Sequence, residues 1–344
     1  MEHASDTYRL FVGVDIAAAT VTAAWQPPRG GPGAPYTYDQ TPAGHAALQR
    51  QLRATGVSAA ETLVVLEATG SYWVALAVAL HAASYHVAVI NPLQAHHFAK
   101  AHLRRAKTDD LDAQALAQLA AVLRPAPWMP PPPAYHEVRQ RLVARDGLLA
   151  MRTQARNQRH ALLQWPVVVA AVRQHLDAVI GDLDTRIADL TAEIAAVLKE
   201  GAWAESLACL TSAPGIGLVT AAWLLVATLD FSLGGGPAAV AAYAGLAPVP
   251  RESGRSVRGR PRIGHGGNAR LRTALSMATL SAARHNPASK PFYDRLRAAG
   301  KPVKVARRAA ARKLLHLAWA LATKCQRFDP IKQQQHTASP DLAA

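Results

Sequence analysis

The sequence predicts a mixed α/β layer at its N-terminal end, then a helical arm, then a mostly α C-terminal unit. Three observations carry that expectation. Apolar residues alternate at period two in several short runs before residue 124, with helical stretches between the later ones. Residues 124–134, RPAPWMPPPPA, cannot continue a helix, because proline lacks the N–H donor and its ring clashes with the preceding turn. Beyond them Leu176, Ile180, Leu183, Ile187, Leu190, Ile194 and Val197 step 4-3-4-3-4-3, the spacing of a coiled-coil seam.

Taken in order, Leu10, Val12, Val14 and Ile16 mark a first strand and Val21–Trp25 a second. The Pro- and Gly-rich stretch Gln26–Pro35 is a loop before a third strand near Tyr36–Gln40. Thr41 caps a helix that runs through Leu52 with Pro42 at its first position, where a missing N–H costs nothing. Thr62–Glu67 (TLVVLE) is a buried strand, followed by a helix, a strand at His86–Ile90 and a last helix over 108–123. Three strands and then alternating helix and strand describe a layer fold of the ribonuclease-H type, occupying residues 8–124.

The proline run, 125–134, is the expected linker to an arm over 135–200. In that arm a helix over 135–164 packs on the seam helix, and the seam suits an intramolecular hairpin and a dimerisation arm equally. A third unit over 205–330 opens on Ser212-Ala-Pro-Gly-Ile-Gly217, which looks like a helix-hairpin-helix turn. There the amides of Gly215 and Gly217 can face a phosphate, and a plain turn between packed helices is the other reading. The polar residues 331–344 are expected to be a disordered tail.

Composition narrows the function. With 50% hydrophobic and 18% charged residues among 344, the chain can bury real cores, which excludes global disorder. Cys209 and Cys325 are its 2 cysteines, too few for a disulfide framework or a four-cysteine zinc site. Residues 1–6 are polar, without a basic start leading into an apolar core, and the run Leu218–Leu229 is shorter than the ~20 residues a bilayer span needs. A soluble protein of the reducing cytoplasm is expected. The net charge is +15, and Arg251–Lys313 holds 17 Lys and Arg against Glu252 and Asp294, so the remainder of the chain sums to zero. An excess concentrated in one segment points to a polyanion-binding face, with nucleic acid the expected partner.

Four carboxylates stand where a metal-dependent nuclease-type site needs them. Asp15 lies on the first strand, Glu67 ends the buried strand, and Asp109 and Asp112 are three apart on one helix face, with Asp110 turned away from it. Clustered carboxylates resist ionising together, a cost that Mg2+ relieves by binding oxygen ligands. Two such ions can activate a hydroxyl and stabilise the leaving oxygen of a phosphodiester. Ser253 precedes a glycine and is flanked by Arg251, Arg255 and Arg258, with Arg260 beyond. A serine hydroxyl needs a base or strong electrostatic help, and guanidinium groups bind phosphate bidentately and stabilise charge on a pentacoordinate centre. Loop capping is the plainer role for this serine when the residues are read alone.

The ordered set GVDIA, LEATGSY, KTDDLDA, APGIG, YAGLAPVPRESG and GHGGNARLRTAL resembles the insertion-sequence one-ten transposase family, from about Phe11 to Trp319. The members of this family are RuvC-like DEDD recombinases related to the pilin-gene invertases. The resemblance implies that Asp15, Glu67, Asp109 and Asp112 form a magnesium-binding DEDD set and that Ser253 is a nucleophile. It also implies a bridge RNA that pairs with donor and target DNA, and dimers or tetramers whose composite sites join one subunit's DEDD domain to another's serine domain. Many relatives carry two serines before the glycine; here Glu252 replaces the first, and Ser256 is a nearby competitor. Arg270 and Arg272, in the glycine–asparagine block, are expected to contact phosphate or RNA, and His265 to have a structural role. The expected function is DNA transposition by a serine nucleophile, in a protein bound to the nucleoid when on DNA. A metal-only Holliday-junction-type nuclease and a non-catalytic nucleic-acid scaffold are the rivals. An actin-like ATPase lacks its second phosphate loop here.

Overall fold

Short runs rich in β-branched and aromatic residues produce β1 (Leu10–Ile16), β2 (Thr20–Gln26), β3 (Tyr36–Asp39), β4 (Thr62–Glu67) and β5 (His86–Ile90), which form one sheet in the order β3-β2-β1-β4-β5. This is a computed structural model, and it describes residues 8–101, 109–232, 234–253, 257–264 and 266–331. β1 pairs with β2 and β2 with β3 antiparallel, while β1–β4 and β4–β5 are parallel. The antiparallel connections are short or looped, whereas each parallel step needs a crossover helix. α1 (Pro42–Ala54) and α2 (Trp73–Ala82) supply these crossovers. The Oγ1 of Thr41 accepts from the N–H of Gly44 at 3.2 Å, so the cap and Pro42 start α1 where the sequence predicts.

Both faces of β1 and β4 are covered, which is why those strands are nearly continuous in apolar residues. On one face Val12, Val14, Val64 and Leu66 pack against Leu48 and Leu52 of α1 and Leu76 and Leu80 of α2. On the other, Phe11, Leu63 and Val65 pack against Leu116, Leu119 and Ala120 of α4 (Asp109–Leu123). Between them lies α3 (Pro92–Ala101), a helix the sequence reading does not predict. The proline-rich stretch is tied down as far as Trp128, whose N–H donates to the carbonyl of Val87 at 2.6 Å and whose ring meets Trp73 edge-on at 5.5 Å.

The chain divides into two compact units at Pro130–Pro131. In the second, α5 (Pro133–Leu162) and α6 (Ala170–Glu200) form an antiparallel hairpin, so the seam is filled by a helix of the same chain. Ile180, Leu183, Ile187 and Ile194 are buried, while Leu176, Leu190 and Val197 are half-buried because two helices leave the seam's flanks open. The pairs Arg141–Glu193, Arg152–Asp184 and Arg159–Asp177, at 2.8, 2.6 and 2.8 Å, set the register; as solvated pairs each contributes at most about 1 kcal/mol.

The remaining helices are α7 (Ala204–Thr211), α8 (Leu218–Thr228), α9 (Gly236–Tyr243), α10 (Ala269–His285), α11 (Lys290–Ala298) and α12 (Val303–Thr323). Their core, built on Leu210, Leu224, Leu225, Leu275, Leu314 and Leu315, extends into the base of the hairpin through Val138, Leu142, Ile194 and Leu198. One element of this mostly helical unit is not a helix. β6 (Val249–Ser253) and β7 (Val257–Arg262) form a two-stranded antiparallel ribbon. Of the expected tail, 331–344, residues 332–344 lie outside the described residues. Among the described residues no helix is long and apolar enough to cross a membrane.

After α8, Leu229, Asp230 and Phe231 hold φ of 48, 55 and 58°, a left-handed corner braced by the Phe231 N–H on Thr228 Oγ1 at 2.9 Å. The hydroxyl of Ser206 donates to Asp230 Oδ2 at 3.0 Å, but Oδ1 is buried with no hydrogen-bond partner among the described residues. Burial pushes the Asp230 carboxyl above the usual carboxylate range, against the opposing pull of Ser206. Because the folded pKa is raised, the ionised form penalises the fold, fully above that pKa and not at all below the unfolded value. Asp230→Asn keeps an acceptor for Ser206 and a residue that tolerates the left-handed corner. It is expected to raise stability at neutral pH by about 1 kcal/mol, fading as pH falls into the carboxylate range. Thermal unfolding across pH measures it; a gain independent of pH rules out the ionisation account.

Candidate active site and nucleic-acid interface

The parallel register of β1 and β4 ends at Val14↔Leu66, so Asp15 and Glu67 are the next residues on neighbouring strands, at their C-terminal ends. In open α/β sheets ligands bind at such ends. By period two, Asp15 shares the face of Phe11 and Gly13, and Glu67 that of Leu63 and Val65, the face that α4 covers. Gly13 makes the close crossing possible: a Cβ there would lie within the backbone of Ala113, Leu116 and Ala117, 2.5 Å from the Leu116 carbonyl carbon. Helix α4 runs back along β1, since the Arg124 guanidinium just past its C-terminus stands 5.7 Å over the Phe11 ring. Its first turn, with Asp109 and Asp112, therefore lies toward the Asp15 end of the strand.

Asp15, Glu67 and Asp112 are half-buried and Asp110 is exposed. Glu67 Oε1 accepts from the Thr69 hydroxyl at 2.8 Å, a contact within the LEATGSY segment that sequence reasoning did not single out. Among the described residues no three metal-ligating side chains are gathered closely enough to hold an ion, and the side chain of Asp109 is not among those described. The donor set is nonetheless all carboxylate oxygen, the type that hard divalent cations take. The fold thus brings Asp15, Glu67 and the first turn of α4 to one end of one sheet face.

Ser253 is the last residue of β6 and pairs with Val257 across the ribbon, with Glu252 opposite Arg258 and Arg251 opposite Gly259. It therefore stands at the end of a paired strand rather than in a loop between helices. Arg255, Ser256 and His265 lie outside the described residues, as do the side chains of Arg251, Glu252, Ser253, Arg258 and Arg260.

The base of the ribbon is well defined. The N–H of Asn268 donates to the Tyr243 carbonyl at 2.7 Å, its Nδ2 to the Tyr243 hydroxyl at 3.1 Å, and its Oδ1 accepts from Leu271 N at 3.0 Å to cap α10. Gly245 and Gly267, at φ of 67 and 85°, approach so closely that a Cβ on Gly267 would lie 2.6 Å from the Gly245 nitrogen. Arg272 donates from Nη1 to the carbonyls of Gly266 at 2.7 Å and Ala244 at 3.3 Å. The YAGLAP and glycine–asparagine segments are therefore two halves of one clamp that fixes where the serine ribbon leaves and re-enters the helical unit. Only the tertiary pairing reveals this, because the halves lie more than 20 residues apart.

The clamp bears on the expected phosphate contacts. Arg272 is occupied by main-chain carbonyls, and Arg270 pairs with Asp146 at 3.0 Å while lying 5.3 Å over the Trp223 ring. Gly215, at φ 100°, is needed for packing, since a Cβ would lie 2.6 Å from that of Ala282 on α10. The side-chain Nδ2 of Asn286 holds the same turn by donating to the Pro214 carbonyl at 2.9 Å. Gly217 precedes α8 with open space around it.

Comparisons with known proteins match two segments of the chain, the first extending from the first unit into α5. Residues 12–165 match a transposase family model built on the DEDD domain of IS110, and residues 207–294 match the transposase IS116/IS110/IS902 family. The chain is 30% identical over 325 residues to the pilin gene-inverting protein of Moraxella lacunata, covering 93% of this chain and 98% of that protein. The Moraxella bovis pilin gene-inverting protein is 29% identical over 323 residues, with the same coverage. An insertion element IS900 protein of 42 kDa from Mycobacterium paratuberculosis is 35% identical over 182 residues, 51% of this chain and 43% of its own. With a DEDD-type sheet, a clamped serine ribbon and full-length similarity to gene-inverting proteins, the chain belongs to the IS110 family of insertion-element transposases and recombinases.

Proposed function

We propose that the chain cuts and rejoins DNA by serine transesterification, with a ribonuclease-H/RuvC-like first unit and a serine-bearing second unit. The observation that supports it most is the placement of Asp15, Glu67 and the first turn of α4 at one end of one sheet face. The sheet order β3-β2-β1-β4-β5, with β2 antiparallel to β1 and β4 and β5 parallel to it, supports the reading of this unit as a ribonuclease-H-type layer. Asp15, Glu67, Asp109 and Asp112 would hold magnesium, which when bound supplies charge stabilisation to phosphodiester oxygens. The carboxylates orient the backbone and accept a proton. The Ser253 hydroxyl attacks a DNA phosphorus; a phosphoserine bond forms, a strand P–O bond breaks, and the departing oxygen leaves as a free hydroxyl. That hydroxyl, or one from another strand, later attacks the phosphoserine and restores serine and DNA. The ribbon arginines Arg251, Arg255, Arg258 and Arg260 would bind the flanking phosphates.

A bridge RNA pairing with donor and target DNA would supply sequence choice, as in other RNA-guided effectors. Subunits would assemble as dimers or tetramers whose sites combine the acids of one with the serine of another. The test is a suicide-substrate assay with full-length protein, matching RNA, magnesium and labelled DNA, comparing wild type with Ser253→Ala. A protease-sensitive protein–DNA adduct in wild type, absent from Ser253→Ala, is expected. Cleavage without adduct that survives in Ser253→Ala assigns the chemistry to the acids alone, and no cleavage in either protein assigns the chain a binding role.

A further inference from the structure

Two cations on neighbouring helices of the second unit are held by one aromatic ring and, among the described residues, by no acid. Arg295, on α11, stands 5.4 Å over the Phe292 ring, and the Lys313 ammonium, on α12, stands 5.0 Å from the same ring. The acid nearest in sequence, Asp294, is taken by Lys290 at 2.6 Å. Among the described residues neither Arg295 nor Lys313 has a carboxylate partner within ion-pair distance. The quadrupole of the ring attracts both charges, yet it leaves each at full strength. Lys313 is half-buried, and burial followed by the neighbouring Arg295 charge pushes its pKa below the usual lysine range. Two like charges sharing a ring, one of them partly desolvated, form a site that an anion relieves. Lys301, Lys304 and Arg307 continue the exposed positive charge along the start of α12. None of these groups lies in the serine ribbon or its clamp.

We infer that Arg295 and Lys313, bracketed on Phe292, contact the phosphodiester backbone of bound DNA along a ledge between α11 and α12. This rests on the reading of the chain as a DNA recombinase and adds to it a contact surface outside the serine segment. Such contacts carry no sequence information; they fix the register of the duplex on the protein and make affinity depend on salt.

The experiment is a titration of labelled mixed-sequence duplex DNA, followed by fluorescence anisotropy over a range of salt, with full-length wild type, Arg295→Gln, Lys313→Met and the double variant. Arg186→Gln, on the arm, removes the same charge elsewhere. Each lost contact is expected to reduce the log–log salt slope by about 0.9, which near 0.15 M salt corresponds to roughly fivefold weaker binding. The double variant then loses about twice that slope, and Arg186→Gln leaves it unchanged. Arg295 is exposed, so Arg295→Gln reports on the site even if Lys313→Met disturbs packing. Slopes equal to that of Arg186→Gln overturn the contact while leaving the recombinase reading intact. A slope lost on RNA but not on DNA also overturns it, by giving the ledge to the guide RNA. A wild type that binds no DNA overturns both.

Discussion

Gly13→Ala is expected to cost about 3 kcal/mol or more of stability in the first unit and to abolish DNA cleavage with it. The reason is backbone contact. The added methyl meets the main chain of Ala113, Leu116 and Ala117, and helix backbone cannot rotate away as a side-chain end can. To make room, α4 must lift off β1, which uncovers Phe11, Leu63 and Val65 and carries Asp109 and Asp112 away from Asp15 and Glu67. Gly31→Ala, where a Cβ meets nothing within 4 Å, is the matched control and is expected to stay within about 0.5 kcal/mol of wild type. Denaturant unfolding and strand cleavage, measured on both variants, check the coupling. A Gly13→Ala protein as stable as Gly31→Ala contradicts the close crossing of α4 over β1.

Asp15→Asn is the complementary case, in which activity falls and stability does not. The amide keeps the shape of the carboxylate but removes its charge and its capacity to accept a proton or face a cation. Strand cleavage is expected to drop on the order of 10³-fold. Stability should stay level or rise slightly, because Asp15 and Glu67 end adjacent strands on one face and like charges there oppose one another. DNA binding should be retained, since the basic charge is concentrated in Arg251–Lys313. Parallel measurements of cleavage, unfolding and binding separate the readings: cleavage undiminished in Asp15→Asn makes the acids structural and returns the chemistry to Ser253 alone.

These expectations draw unequally on sequence and on structure. The strands before Asp15 and Glu67 were legible because each is a short, near-continuous run of apolar and β-branched residues, the pattern of a strand buried on both faces. The start of α1 was legible because Thr41-Pro42 combines a cap with a tolerated proline. Helix α3 was missed because PLQAHHFAKA has no clear apolar stripe, although Asn91-Pro92 caps it as Thr41-Pro42 caps α1, the Leu93 N–H donating to Asn91 Oδ1 at 2.8 Å. The serine ribbon was missed for a different reason. VPRES and VRGRPR contain prolines and charges that depress strand propensity, and the pairing rests on a clamp at its base made by distant residues. The same distance hides the partners that Arg272 and Gly215 have within the chain, because basic and glycine-rich segments look alike in sequence whether they face a ligand or another part of the protein. Only the structure shows the Gly266 carbonyl and the Ala282 methyl opposite them.

The sequence by itself determined the strands of the first unit and all its helices but α3, the concentration of positive charge in one segment, the family motifs and which four carboxylates and which serine are the candidates. Those properties are local: strand period, capping chemistry, composition and short motifs are all written within a few neighbouring residues. The tertiary structure alone decided that Asp15 and Glu67 end neighbouring parallel strands under the first turn of α4, that Tyr243 and Asn268 close the base of the serine ribbon, and that Arg295 and Lys313 share Phe292. Each of these is a contact between segments brought together by burying apolar surface. Such burial rewards area without regard to chain separation, so the partners cannot be read from the sequence of either segment.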